Sequence, residues 1–72
     1  MTTYKVAERD DKTYEAYQYG QLWFAIEVFD DSFRGRIDSF KIGNRRGYKT
    51  ERGAINAIKK AASLRFETLI AA

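Results

Sequence analysis

The stretch LWFAIEVF at residues 22–29 limits the fold more than any other part of this chain. It is an uninterrupted run of strand-favouring side chains, and turn-forming residues lie on both sides of it, Gly20-Gln21 before and DDSFRG at 30–35 after. Connections this short join antiparallel neighbours, because a parallel pair needs a crossover of about a dozen residues or more. The stretch therefore predicts the central strand of an antiparallel sheet.

Three other segments alternate apolar and polar residues in the manner of strands. They are residues 3–8, 13–19 and 36–42, and the polar turn RDDK at 9–12 separates the first two. The sequence thus predicts an antiparallel sheet of three to four strands.

One helix is predicted, from Glu51 to Leu69. Thr50 is a natural N-cap, and Glu51 in the first turn complements the helix dipole. An apolar stripe with three- and four-residue spacing follows, formed by Ile55, Ile58, Ala62, Phe66 and Leu69. A single helix packs on one face of such a sheet, so the predicted fold is α+β, in the order β-β-β-β-α, with residues 1–72 as one domain.

The two faces of the central strand predict different environments. We expect the more apolar face to lie in the core, and it consists of Leu22, Phe24, Ile26 and Val28. Trp23 and Phe29 fall on the opposite face, and Tyr17 and Tyr19 of the preceding strand join them if the register permits. These four aromatic residues are a candidate surface for a protein partner or for stacked bases. The alternative is that another segment or a second copy of the chain covers them.

The chain contains no cysteine and no histidine. Their absence removes disulfides, the usual zinc ligands and the Ser-His and Cys-His nucleophile pairs. The paired aspartates at 10–11 and 30–31 fall in predicted turns, where aspartate is favoured by local hydrogen bonds. We therefore expect a protein that is not an enzyme and that uses no cofactor and no metal. No apolar run approaches the ~20 residues of a membrane span, so we also expect a soluble, cytoplasmic protein that has no membrane partner.

Charge is distributed unevenly along the chain. Residues 1–40 hold five cations against eight acids, whereas residues 41–65 hold eight cations against Glu51 alone. Concentrated positive charge attracts polyanions through its long-range field and through counterion release. The predicted nucleic-acid-binding residues are Lys41, Arg45, Arg46, Lys49, Arg52, Lys59 and Lys60.

The segment GNRRGYKT at 43–50 forms the entrance to the predicted helix. It differs from a nucleotide-binding P-loop, because only three residues separate its glycines and Tyr48 precedes Lys49-Thr50. Gly43 and Gly47 favour turns with positive φ, which is one sufficient explanation of the glycines. A basic loop that runs into a helix N-terminus also suits phosphate groups.

The run Gly47-Tyr48-Lys49-Thr50, followed by Ala54 and preceded by aromatic-rich strands, resembles a known family. It is similar to the sheet-plus-helix DNA-binding domains at the N-termini of phage-type tyrosine recombinases, over residues 21–65. In that family a three-stranded sheet sits in the major groove. The resemblance implies DNA binding, and we carry over no base-reading residue from it.

Two functions remain open at this point. The first is a small non-enzymatic accessory protein that binds nucleic acid, DNA rather than RNA, through its basic loop and helix N-terminus. The alternative is a small phage-type inhibitor or adaptor that binds a protein through an exposed aromatic sheet face. Homodimerisation through the uncovered sheet face is compatible with either function.

Overall fold

A five-stranded antiparallel sheet with one helix on one face forms the structure, a computed structural model that describes residues 1–72. The strands stand in the order β4-β3-β2-β1-β5. In chain order the elements are β1 (Thr2–Val6), β2 (Lys12–Tyr19), β3 (Leu22–Asp31), β4 (Arg36–Ile42), α1 (Glu51–Leu64) and β5 (Leu69–Ala71). The predicted α+β class, with one helix packed on an antiparallel sheet, is confirmed.

Short turns connect β2, β3 and β4, as the sequence predicts. The turn after Tyr19 is tight because Gly20 adopts a φ of 66° in open space, where glycine carries no steric cost. The resulting register places Tyr17 opposite Phe24 and Glu27 opposite Phe40. Residues opposite one another point to the same face, so this register fixes the composition of both faces.

The helix begins where the sequence predicts but ends five residues earlier than expected. The Thr50 side chain accepts a hydrogen bond from the Gly53 N–H at 3.2 Å, as an N-cap does. At the other end Phe66 adopts a left-handed φ of 57°, and two backbone bonds close the last turn, from Phe66 to Ser63 and from Glu67 to Ala62. This is the hydrogen-bond pattern that reverses the chain after a helix, with phenylalanine at the position that glycine usually occupies.

The reversal corrects the predicted apolar stripe. Phe66 is 90% exposed, and Leu69 belongs to β5, which pairs with β1 at the edge of the sheet. Leu69 still packs against the core, but from the sheet rather than from the helix. A regular spacing of apolar residues does not show where a helix ends, because here the residues after the last turn pair with a distant strand.

The helix packs on the face of β3 opposite to the predicted one, so the predicted core face is wrong. Ala16 and Ala25 lie side by side on β2 and β3, and together they form a flat strip beneath the helix. Small side chains let the helix approach the sheet closely, whereas the larger side chains on the other face would hold it away. The buried cluster consists of Val6, Tyr14, Ala16, Ala25, Ala54, Ile58 and Ala62.

The face of the sheet without the helix, here called the open face, carries the apolar set that we expected in the core. On β3 this set is Leu22, Phe24, Ile26 and Val28. Phe24 is buried there by its neighbours, while Leu22 is exposed. No helix in the structure is long and apolar enough to cross a membrane.

Candidate nucleic-acid interface

A rigid loop, residues 43–49, connects β4 to the helix and carries two adjacent arginines at its tip. The Tyr48 hydroxyl accepts a hydrogen bond from the Asn44 N–H at 2.7 Å, and the Asn44 side-chain oxygen accepts one from the Arg46 N–H at 3.0 Å. The Gly47 N–H closes the turn by bonding to the Asn44 carbonyl at 3.0 Å. These three bonds hold the backbone on both sides of Arg45 in one conformation.

Both glycines of the loop are required by close approach as well as by conformation. Gly43 has a φ of 69°, and a Cβ there would overlap the Tyr48 hydroxyl. Gly47 has a φ of 104°, and a Cβ there would lie 3.1 Å from the Phe24 ring. Substitution at either glycine is therefore expected to disturb the position of the loop.

The loop is also fixed to the central strand. The backbones of Trp23 and Tyr48 exchange two hydrogen bonds, at 2.8 and 2.6 Å, and so form an isolated antiparallel bridge. The loop thereby takes the place beside β3 that β4 vacates after Ile42. Its arginines are consequently presented from a fixed position at one end of the sheet.

The predicted nucleic-acid-binding residues share one property in the structure: none of their side chains forms an ion pair. All seven are exposed. Five of the other six cations are paired with carboxylates, namely Arg9, Lys12, Arg34, Arg36 and Arg65. The positive charge of the second half of the chain is thus available to an external anion.

The structure brings together four of these seven residues. Arg45, Arg46, Lys49 and Arg52 lie on the loop and the first turn of the helix, and we call this group the basic end. Glu51, the one acid among them, accepts a hydrogen bond from the Thr2 hydroxyl at 2.9 Å and lies 3.6 Å from the N-terminal amine. Its charge is therefore partly compensated within the protein.

The other three predicted residues lie apart from one another. Lys41 is on the open face, where its ammonium nitrogen lies 4.4 Å from the centre of the Phe24 ring. Lys59 lies on the flank of the helix that faces Tyr4, and Lys60 lies on the opposite flank, beside Leu64. Lys59 shares a surface depression with Arg52, and Lys60 shares one with Gly43 and Asn44 of the loop, so both adjoin the basic end from opposite flanks of the helix.

The acidic residues of the turns gather at the opposite end of the sheet. The β1–β2 and β3–β4 turns lie there because the strands are antiparallel, and they bring a shallow depression lined by Asp11, Asp30, Asp31 and Asp38 to that end. Three of these aspartates pair with nearby arginines. No group of three or more acidic residues has a geometry that suits a metal ion.

A buried ionic network lies beyond the C-terminal end of the helix, and no pattern of neighbouring residues predicted it. The Lys12 ammonium lies 3.0 Å from Glu67 and 3.4 Å from Glu27, although the Lys12 side chain is only 2% exposed. The Tyr14 hydroxyl donates to Glu67, and Arg65 pairs with Glu27. Two cations and two carboxylates balance one another, as buried charges require.

Three members of the network have shifted pKa values, and that of Arg65 is raised by its hydrogen bond with Glu27. Burial alone would raise the pKa of Glu67, but hydrogen bonds from Tyr14 and Lys12 outweigh it, so the pKa lies below its usual value. Burial alone would lower the pKa of Lys12, but its hydrogen bonds with Tyr14 and Glu67 raise it above its usual value. Each of these shifts favours the charged form of its side chain.

The four predicted aromatic residues do not form one surface, which corrects that expectation. Tyr17 and Tyr19 lie on the open face, whereas Trp23 and Phe29 lie on the helix face. Trp23 packs against the core, and Phe29 lies 5.2 Å from the Lys12 ammonium. Tyr17 and Phe24 lie at equal distances from the turn at residues 20–21, and so they pair with each other instead. This pairing depends on the strand register, which sequence pattern alone did not determine.

Comparison of the chain with protein-family models, curated proteins and solved structures gives no match. The resemblance to the recombinase DNA-binding domains therefore stays a prediction.

Proposed function

We propose that this protein is a small, non-enzymatic accessory protein that binds nucleic acid through its basic end. The observation that carries the proposal is the division of the cations: the predicted binding residues have no ion-pair partners, while five of the six other cations do. When an unpaired surface cation contacts a phosphate, it displaces the counterions that are condensed on the nucleic acid, and no internal ion pair has to break first.

The rigidity of the loop supports the same proposal. Arg45 and Arg46 stand between backbone groups that are already hydrogen-bonded, at Asn44 and Gly47. Little backbone freedom is lost when they bind, so more of the interaction energy appears as affinity. The helix N-terminus beside them adds backbone N–H groups and a favourable dipole for phosphates.

DNA is proposed in preference to RNA because of the resemblance of residues 21–65 to DNA-binding domains. The proposal also includes a cytoplasmic location. The end of the sheet with Asp11, Asp30, Asp31 and Asp38, here called the acidic end, repels a polyanion. The protein therefore contacts a few phosphates end-on and does not wrap the nucleic acid around itself. Binding is accordingly moderate in affinity and sensitive to salt.

A titration with a matched control variant tests the proposal. Fluorescence anisotropy of labelled duplex and single-stranded DNA is measured at about 50 mM and about 200 mM salt. The double variant Arg45→Ala/Arg46→Ala is compared with Arg34→Ala/Arg36→Ala, which removes the same charge from the acidic end. We expect the first variant to lose roughly tenfold in affinity and the second to bind nearly like the wild type. Equal losses would show that only net charge matters, and the proposal would fall.

A second candidate function, protein binding by a small phage-type inhibitor or adaptor, has one observation in its favour. Apolar side chains of the open face are exposed, among them Leu22, Ile37 and Ile70. Exposed apolar surface of this kind is a feature of protein interfaces. Isolation of one stoichiometric protein partner from a cell lysate would favour this function, and nucleic-acid carry-over would favour the first.

A further inference from the structure

The open face carries an aromatic surface close to the basic end. Tyr17 and Phe24 are directly opposite on β2 and β3, with ring centres 5.6 Å apart and planes inclined by 26°. Tyr19, one step further along β2, is 77% exposed. We call Tyr17 and Tyr19 the tyrosine platform; Phe24, which is buried, supports Tyr17 from the neighbouring strand.

Positive charge lies beside Phe24, on the β4 side of the platform. The Lys41 ammonium lies over the Phe24 ring, and Gly47 of the basic loop lies against the edge of the same ring. Because Phe24 is opposite Tyr17, the loop that carries Arg45 and Arg46 lies on the other side of β3 from the two tyrosines, one strand away.

The structure also removes an electrostatic obstacle from this surface. Glu27, which shares a face with Trp23, points to the helix side, where the ionic network neutralises it. Glu15 remains on the open face, one step along β2 from Tyr17 and away from the basic end. The part of the open face that adjoins the basic loop is consequently free of carboxylates.

These features fit a single strand better than a duplex. Unpaired bases stack on aromatic rings whatever their identity, and adjacent cations follow the backbone phosphates. Sequence is read in a duplex major groove chiefly by hydrogen-bonding side chains such as arginine, asparagine and glutamine, and the platform offers rings instead. An exposed tyrosine such as Tyr19 has no partner in a duplex whose bases are already stacked.

We infer that the tyrosine platform stacks the bases of single-stranded DNA while Arg45 and Arg46 contact the adjoining phosphates. This inference rests on the proposed function, and it adds the strandedness of the ligand and the surface that recognises it.

The first arm of the test compares three DNA probes with the intact protein. They are an oligothymidine of about ten nucleotides, an abasic strand of the same length and a hairpin duplex with a similar number of phosphates. We expect the oligothymidine to bind roughly fivefold or more tighter than either of the others, because only it offers both phosphates and unstacked bases.

The second arm uses variants of exposed residues, so that folding is preserved. Tyr19→Ala is expected to weaken oligothymidine binding roughly fivefold or more, while Tyr19→Phe keeps the ring and the affinity. The matched control is Phe33→Ala, which removes an even more exposed ring from the β3–β4 turn at the opposite end of the sheet and should bind like the wild type. Circular dichroism confirms that each variant is folded.

Four results would overturn the inference. If the abasic strand binds as tightly as oligothymidine, or if Tyr19→Ala binds as tightly as the wild type, the platform stacks no bases. Should Arg45→Ala/Arg46→Ala still weaken binding in that case, the proposed function stands without the inference; absence of binding to every probe removes both. If sedimentation shows a dimer that Tyr19→Ala dissociates, a second copy occupies this face.

Discussion

The Tyr48 hydroxyl lies 2.7 Å from the Asn44 nitrogen and accepts its N–H hydrogen bond. Tyr48, just before the helix, therefore fixes the start of the basic loop. The Tyr48 backbone is bridged to Trp23, which ties the same residue to the central strand. One residue thus links the loop, the helix and the sheet. The first two predictions concern this link.

Tyr48→Phe removes the hydroxyl and keeps the ring. We expect a loss of about 1 kcal/mol in the free energy of unfolding, which is usual for one hydrogen bond. DNA affinity should fall about threefold because the loop loses its fixed backbone. Urea denaturation and anisotropy measure the two effects. Tyr4→Phe is the control, since the Tyr4 hydroxyl makes no hydrogen bond within the protein.

Gly43→Ala introduces a Cβ that overlaps the Tyr48 hydroxyl, at a backbone φ of 69°. Gly20→Ala creates similar backbone strain, at a φ of 66°, but no contact within 4 Å. We expect about 1 kcal/mol of destabilisation at Gly20 from strain alone and clearly more at Gly43. The excess at Gly43 should shrink in a Tyr48→Phe background, as a double-mutant cycle by urea denaturation would show. An unchanged excess would mean that the hydroxyl is not the obstacle.

Lys12→Ala leaves Glu27 and Glu67 with Arg65 as their only cation. Breaking a buried ion pair from one side costs about 3–5 kcal/mol, which is a large part of the stability of a domain this small. We expect the variant to be largely unfolded at 25 °C by circular dichroism. Lys5→Ala, at an exposed lysine outside every ion pair, should change the free energy of unfolding by less than about 0.5 kcal/mol. A well-folded Lys12→Ala variant would contradict the importance of the network.

The lowered pKa of Glu67 predicts a pH dependence. A carboxylate whose pKa is lower in the folded state contributes stability above its unfolded pKa of about 4.3. That contribution is lost as the pH falls through the folded pKa, so stability should fall below about pH 4.5. Glu67→Gln should be less stable at neutral pH and should show a weaker acid dependence, measured by urea denaturation between about pH 3 and pH 7. Asp10→Asn, at an exposed turn residue, is the control; an acid dependence unchanged by Glu67→Gln would be contrary to expectation.

Local signals were sufficient for much of this fold. The predicted strand at 36–42 coincides with β4, and Thr50 caps the helix as its side chain and position suggest. Alternation and capping depend on neighbours in the sequence, so they can be recognised without tertiary information. The segment Leu69–Ala71 lacked such a signal, because three residues pairing with an edge strand leave almost no pattern.

The core face was predicted wrongly because hydrophobicity and packing disagree here. The face with Phe24 and Ile26 is the more apolar, yet the helix packs on the other face, where Ala16 and Ala25 allow close approach. The buried network escaped prediction for a related reason. Lys12 and Glu67 are far apart in the sequence, and only the reversal at Phe66 brings them together.

The predicted cations were recognisable from charge alone, but their arrangement was not. Composition identifies a basic half of the chain, whereas the division of Lys59 and Lys60 between two flanks of the helix depends on helix rotation. The pairing of Tyr17 with Phe24 depends likewise on sheet register. The helix rotation follows from the core face, which sequence pattern alone assigned incorrectly, and the register follows from the turn at Gly20.

The salt dependence of DNA binding tests the central claim most directly, because its slope counts the phosphates that the protein neutralises. The logarithm of the affinity is measured against the logarithm of salt concentration for the wild type, Arg45→Ala/Arg46→Ala and Arg34→Ala/Arg36→Ala. We expect the first variant to reduce the magnitude of the slope by about 1.4 on a single strand, two phosphates at about 0.7 each, and the second to leave it unchanged. A slope that is the same for the wild type and for Arg45→Ala/Arg46→Ala would contradict the account.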